Sequence, residues 1–137
     1  MFQRRKKRSK KPIEWREAPD IKGDIERLIK LVDLDWLSSE KIYCMRSENA
    51  NTRAIARIWG LSRVWQIALE IKPSYVLEVV SEYFDRLPDI KKDEVLLHEL
   101  AHIPHNFSGA LVPHTKRGKN NFHDKLHSMI VKYHEAK

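Results

Sequence analysis

His98-Glu99-Leu100-Ala101-His102 is the stretch of this chain best equipped for chemistry. On a helix, residues four apart share a face, so two imidazoles at this spacing can reach one ion. A carboxylate beside the first imidazole then sits next to a water on that ion. Zinc lowers the pKa of such a water towards 7, and the carboxylate can take its proton during attack on a carbonyl and pass it to the leaving amine. Chance yields this HExxH pentapeptide in roughly 3% of chains of this composition. All seven histidines also fall beyond residue 97, which concentrates the chemistry in the last forty residues.

A catalytic zinc site takes three protein ligands and keeps one position open, so a third ligand is needed after His98 and His102. His105 lies beyond Pro104, where a helix stops, and reads as a loop residue lining the cleft. A metzincin would carry Gly and His where this chain has His105 and Ser108, which excludes that class. His114, at the end of a glycine-containing loop, and His123, at the start of the last amphipathic segment, divide the remaining choice evenly on spacing alone. His127 and His134 read as solvated positions of that segment.

Two helices and a sheet must hold these residues. Val95, Leu96, Leu100 and Ile103 have helical spacing between Pro88 and Pro104, and this helix carries the pentapeptide. His105 to Asn121 reads as an irregular loop, and Phe122, Leu126, Met129, Ile130 and Tyr133 define a C-terminal helix. Upstream, Ile21, Ile25, Leu28, Ile29, Val32 and Trp36 predict a helix capped by Asp20 and running to about Leu37. Lys41 to Arg46 and Tyr75 to Val80 read as strands. Thr52 to Ile58, with helix as its alternative, and the branched and aromatic run Val64 to Ile71 read as a hairpin turning near Gly60 to Ser62. The expected fold class is thus α+β, with an N-terminal helix, a short, mostly antiparallel sheet of three or four strands, the HExxH helix and a C-terminal helix.

Charge divides the chain in two. The 137 residues carry 26 Lys and Arg against 19 Asp and Glu, a net charge of +7. Seven of the basic residues (Arg4, Arg5, Lys6, Lys7, Arg8, Lys10, Lys11) stand in the first eleven positions, which leaves the remainder neutral. Residues 1–19 are therefore expected to form a flexible basic arm and linker, with Trp15 pinning it to the body, and residues 20–137 the folded domain. The arm offers a contact for nucleic acid phosphates. No apolar run is long enough for a membrane span or a secretory signal, so a cytoplasmic monomer is expected. The single cysteine, Cys44, excludes an internal disulfide and a four-thiolate zinc cluster, and reads as a small core residue. Trp15, Trp36, Trp59 and Trp65 read as core aromatics, and Arg53, Arg57 and Arg63 as ordinary surface. Tyr75 and Tyr133 are candidates to steady an oxyanion.

The run from Val95 to Pro104 (VLLHELAHIP), followed by Asn106 to His114 (NFSGALVPH), resembles archaeal and phage metallopeptidase families, distantly related to the SprT-like zincins. Cys44 to Ser47, Thr52 to Trp59 and Tyr75 to Val80 are similar as well. The resemblance spans about residues 20 to 135. It implies a small zincin-like domain with His98 and His102 as zinc ligands and Glu99 as catalytic acid/base, and it turns the choice of third ligand towards His114. SprT-like proteins place a His shortly before a Phe on the following helix, whereas here Phe122 precedes His123, so His123 stays as the alternative. The function expected is a Zn²⁺-dependent peptidase acting on protein or peptide substrates, including proteins held on nucleic acid. The alternative is a non-catalytic zinc module that binds nucleic acid or a partner protein; a fourth ligand from His105 or His123 would mark it.

Overall fold

A four-stranded sheet packed on one face by three long helices holds the site. The computed structural model describes residues 11–118 and 121–136. The strands are β1 (Glu14–Glu17), β2 (Ile42–Glu48), β3 (Ala56–Gly60) and β4 (Tyr75–Val80), in the order β1-β2-β4-β3. β1 pairs antiparallel with β2, β2 parallel with β4, and β3 antiparallel with β4. The helices are α1 (Pro19–Leu31), α2 (Arg63–Leu69), α3 (Ser81–Phe84), α4 (Asp89–Ala101) and α5 (Phe122–Ala136). The α+β class, the largely antiparallel sheet and the order of helices agree with the sequence.

Side-chain alternation sets the two faces of the sheet. Ile42 and Cys44 on β2, Tyr75, Leu77 and Val79 on β4 and Ala56 on β3 point into the core, where Ile25 and Leu28 of α1, Leu96, Leu97 and Leu100 of α4, and Met129 and Tyr133 of α5 meet them. Burial pushes the Cys44 thiol up to about 12, in keeping with an inert core residue. Asp93 joins the three helices: it is 5% exposed and accepts from Arg27 at 2.7 Å and from the Tyr133 hydroxyl at 2.7 Å. On the opposite face, Glu78 is fully buried at 0% and accepts from Ser47 at 2.5 Å, Arg57 at 2.9 Å and Trp59 at 2.9 Å. Burial pushes the Glu78 carboxyl up, but these donors outweigh it and hold it below its ordinary range. Arg57 is therefore a partner of the sheet interior as well as a surface residue.

Four local expectations are corrected. Val64 to Ile71 was expected as a strand, but Arg63–Leu69 forms α2, which turns Gln66 inward to the Leu61 and Ser108 carbonyls and leaves its apolar side chains outside. The hairpin therefore does not form, and β3 instead pairs with β4. α1 ends at Leu31, six residues early, because Asp33 takes a left-handed φ of 56° and breaks the helical run; Leu34 and Leu37 reach the core from irregular backbone. Glu14 to Glu17, expected as linker, forms the edge strand β1. Trp15, Trp59 and Trp65 are 46%, 48% and 55% exposed, so of the four tryptophans only Trp36 packs against the core. Arg4 to Lys10 of the basic arm lie outside the described residues; Lys11 is exposed. Among the described residues, no helix is long and apolar enough to cross a membrane.

Candidate metal centre

α4 buries one stripe, Asp93, Leu96, Leu97 and Leu100, which turns His98 towards the open side of the molecule. The helix ends at Ala101 and His102 is its C-cap, at φ −71° and ψ −15°. These near-helical angles preserve the four-residue relation, and the two rings stand 5.3 Å apart between centroids. Pro104 then diverts the chain, and the following loop returns to the same place. Val112 N–H donates to the His102 carbonyl at 2.6 Å, and the His102 ring bonds the Val112 carbonyl through Nδ1 at 2.6 Å. A carbonyl can only accept, so Nδ1 carries the proton and Nε2 keeps its lone pair free for a ligand. Two residues on, His114 lies with its Nε2 3.0 Å from Nε2 of His98.

One ring nitrogen from each of His98, His102 and His114 lies within 4.8 Å of the others. Phe122, at the start of α5 and 4% exposed, packs against all three rings: stacked on His102 at 4.3 Å, and edge-on to His98 and His114 at 5.1 and 4.8 Å. The donor set suits a divalent metal. Burial, then the neighbouring His102 and His114, pull His98 down to about 4, so its imidazole is neutral and can ligate at neutral pH. Burial likewise lowers His102. The 3.9 Å approach of His98 to Glu99 is consequently not an ion pair.

Glu99 is 9% exposed and opens onto the same cleft, and burial alone raises its carboxyl to about 7. A carboxyl in that range can both accept and release a proton near neutrality. The cleft has a volume of about 970 Å³; β3 forms one wall, α4 its floor, and Leu126 and Ile130 of α5 the other side.

Of the sequence candidates, His98, Glu99, His102 and His114 come together. His123 is exposed, its backbone N–H donates to Thr115 at 3.1 Å, and it stands outside the cluster, as does His105, which packs on Trp36 at 4.3 Å. Neither tyrosine points at the site. Tyr133 binds Asp93, and the Tyr75 hydroxyl accepts from Gly109 N–H at 2.8 Å and donates to the Ala110 carbonyl at 2.8 Å. Gln66 of α2 donates to the carbonyls of Leu61 and Ser108 at 2.8 and 2.9 Å. Tyr75 and Gln66 therefore clamp the loop that delivers His114 from its far side. At the other end of the site, Lys125 of α5 donates to the Ile103 carbonyl at 2.5 Å and lies 4.3 Å over the Trp36 ring. Sequence reasoning missed these supports and the role of Phe122; the Phe before His123 was the one available signal.

A small α+β domain with an HExxH helix against a mixed sheet, and a third histidine returned by the following loop, has the organisation of a zincin-like metallopeptidase. Residues 13–136 match the sequence model of the family described as putative phage metallopeptidase, and the chain belongs to that family. No curated protein and no solved structure matches the chain. The family implies a metal cofactor and a protein or peptide substrate.

Proposed function

We propose that this chain is a zinc-dependent peptidase in which His98, His102 and His114 hold the metal and Glu99 serves as general acid and base. The observation that carries the reading is the convergence of three imidazoles, with that of His98 held neutral, beside a buried carboxyl in an open cleft. Zinc, when bound, polarises the substrate carbonyl and brings the pKa of water towards 7. Three protein ligands leave one coordination position for that chemistry, and no fourth residue joins the cluster among the described residues. This favours the catalytic reading over the structural module.

The chain's own groups supply the rest. Glu99 holds the proton taken from water and delivers it to the leaving amine. The Nδ1–H bond of His102 to Val112 fixes ring tautomer and direction. β3 is an edge strand along the cleft, so an extended peptide can lie beside it and use backbone hydrogen bonds that are indifferent to sequence.

The test is elemental analysis of wild type, His102→Ala, His114→Ala, His123→Ala and Glu99→Gln, with a casein or self-cleavage assay alongside. Near one zinc per chain is expected in wild type, His123→Ala and Glu99→Gln, and its loss in His102→Ala and His114→Ala. Wild type purified without chelators and free of zinc would refute the proposal. Zinc retained by His114→Ala but lost by His123→Ala would move the third ligand.

The basic residues Arg4, Arg5, Lys6, Lys7, Arg8, Lys10 and Lys11 support the further reading that substrates are met on nucleic acid. Deleting residues 1–11 should then weaken DNA binding and flatten its salt dependence by a slope of up to about six. Unchanged affinity and slope in a gel-shift titration would remove this part of the proposal.

A further inference from the structure

α2 is inverted relative to an ordinary surface helix. Its one buried side chain is Gln66, while Val64, Trp65, Ile67 and Leu69 are 69%, 55%, 64% and 53% exposed. A helix that is apolar around its circumference belongs in a core or under a partner, because water offers its side chains nothing. Helix formation here is not in conflict with the packing: Gln66 anchors the helix through Leu61 and Ser108 and thereby keeps the apolar side chains outside.

The surface extends beyond the helix. Ile71, which follows α2, Trp59 on β3 and Tyr43 on β2 are 42%, 48% and 51% exposed, and with Leu61 and Val76 they line a hollow of about 360 Å³. Register places Tyr43 and Trp59 on either side of Val76, on the sheet face that α1, α4 and α5 leave uncovered. With side chains of this class burying about 150–250 Å² for an aromatic and somewhat less for an aliphatic, the exposed fractions amount to roughly 700 Å² of apolar surface. That exceeds the roughly 300–600 Å² of the largest patch on a typical monomer and approaches the about 800 Å² that each partner gives to a standard interface.

We propose that this surface is the interface of a homodimer, with a second copy of this chain as its occupant. Three observations select a copy of the chain. The patch carries both a projecting element, α2 with Trp65, and an apolar hollow, so one two-fold operation lets each copy present its projection to the other. Residues 64–69 contain no charged side chain, and the exposed flanking residues Arg63, Glu70 and Lys72 carry both signs, so a two-fold pairing can set unlike charges together at the rim. The area is within the roughly 600–1,000 Å² that each partner gives to a standard interface. The inference does not rest on the metal, although Trp59 lines both the hollow and the cleft, and it departs from the monomer expected from sequence.

The test is light scattering coupled to gel filtration on the full chain, from about 1 to about 100 μM, set against known dimer affinities. Wild type should run at twice 16.3 kDa. Trp65→Glu/Ile67→Glu alters only exposed positions and should run at 16.3 kDa with an unchanged circular dichroism spectrum, a rise of about tenfold or more in dissociation constant. Val131→Glu, on an exposed apolar position of α5, should remain a dimer. Should the double variant lose its spectrum, Ile67→Lys alone carries the comparison. A wild-type mass of 16.3 kDa throughout overturns the proposal, and so does a dimer that persists in the folded double variant. A monomer that floats with anionic vesicles would assign the patch to a lipid surface and overturn it equally.

Discussion

Glu99→Gln is expected to keep its zinc, lose peptide hydrolysis by about 10²–10⁴-fold, and become more stable than wild type when metal-free. The first two effects follow from an isosteric amide that cannot take a proton. The third follows from burial. Among the described residues no charged partner offsets the desolvation of Glu99, and its carboxyl rises from 4.5 to about 7. Between those values the unfolded chain is ionised while the folded one stays protonated. Stability of the metal-free protein is therefore present at low pH and is lost as pH climbs from 4.5 to about 7. A shift of that size corresponds to ~3 kcal/mol once both states are ionised. His98 acts from the acid side: its ring falls from 6.5 to about 4, so stability also declines as pH drops through that window, where the unfolded imidazole is charged. Urea melts of chelated wild type and Glu99→Gln at pH 5 and pH 8 check the sign. The variant's advantage should widen from about 1 to ~3 kcal/mol, and a constant gap would mean that the carboxyl is not desolvated. If Glu99 is the proposed acid and base, a group that costs the fold stability is kept for its chemistry, the usual opposition between function and stability.

The same local rules that made α4 legible account for what was not. The pentapeptide sits on a stripe with clear helical period, bounded by two prolines, so helix, faces and site could be read together. Val64 to Ile71 has no such contrast. An apolar run broken by Gln66 and Glu70 holds neither a period of two nor one of 3.6 throughout, and β-branched and aromatic content then favours a strand. The deciding contacts of Gln66, to Leu61 and Ser108, include one 42 positions away. Glu78 poses a related problem: the alternation around it predicts β4 correctly, but its buried carboxylate is satisfied by Ser47, Arg57 and Trp59 from both neighbouring strands. The third histidine stood between these cases. Loop length permits His114 or His123, and a backbone pairing of Val112 with His102 that no side-chain pattern announces brings His114 beside the first two.

That dependence on a loop leads to the other large expected effect. Gly109→Ala should lower zinc affinity by about 10–100-fold and stability by roughly 2–4 kcal/mol, although position 109 is five residues from His114. Gly109 has φ +96°, a region an alanine enters only under strain, and an added methyl would collide with the Leu61 carbonyl and the Gln66 amide. Gly60, next to Leu61 in the chain, lies equally close to the loop: a methyl there would strike the Gly109 carbonyl. Relief requires the loop to lift from Tyr75 and Gln66, and the segment carrying Val112 and His114 moves with it. Tyr75→Phe separates strain from anchoring. It introduces no clash but leaves the Gly109 N–H and the Ala110 carbonyl without their shared partner, at a cost of about 1–3 kcal/mol. Zinc competition titrations and thermal melts on both variants, with and without metal, distinguish the contributions. Both variants should lose more stability with zinc present than without it, because the weakened ligand loop also forfeits binding energy. Equal losses in the two conditions would show that the loop holds the fold but does not place His114.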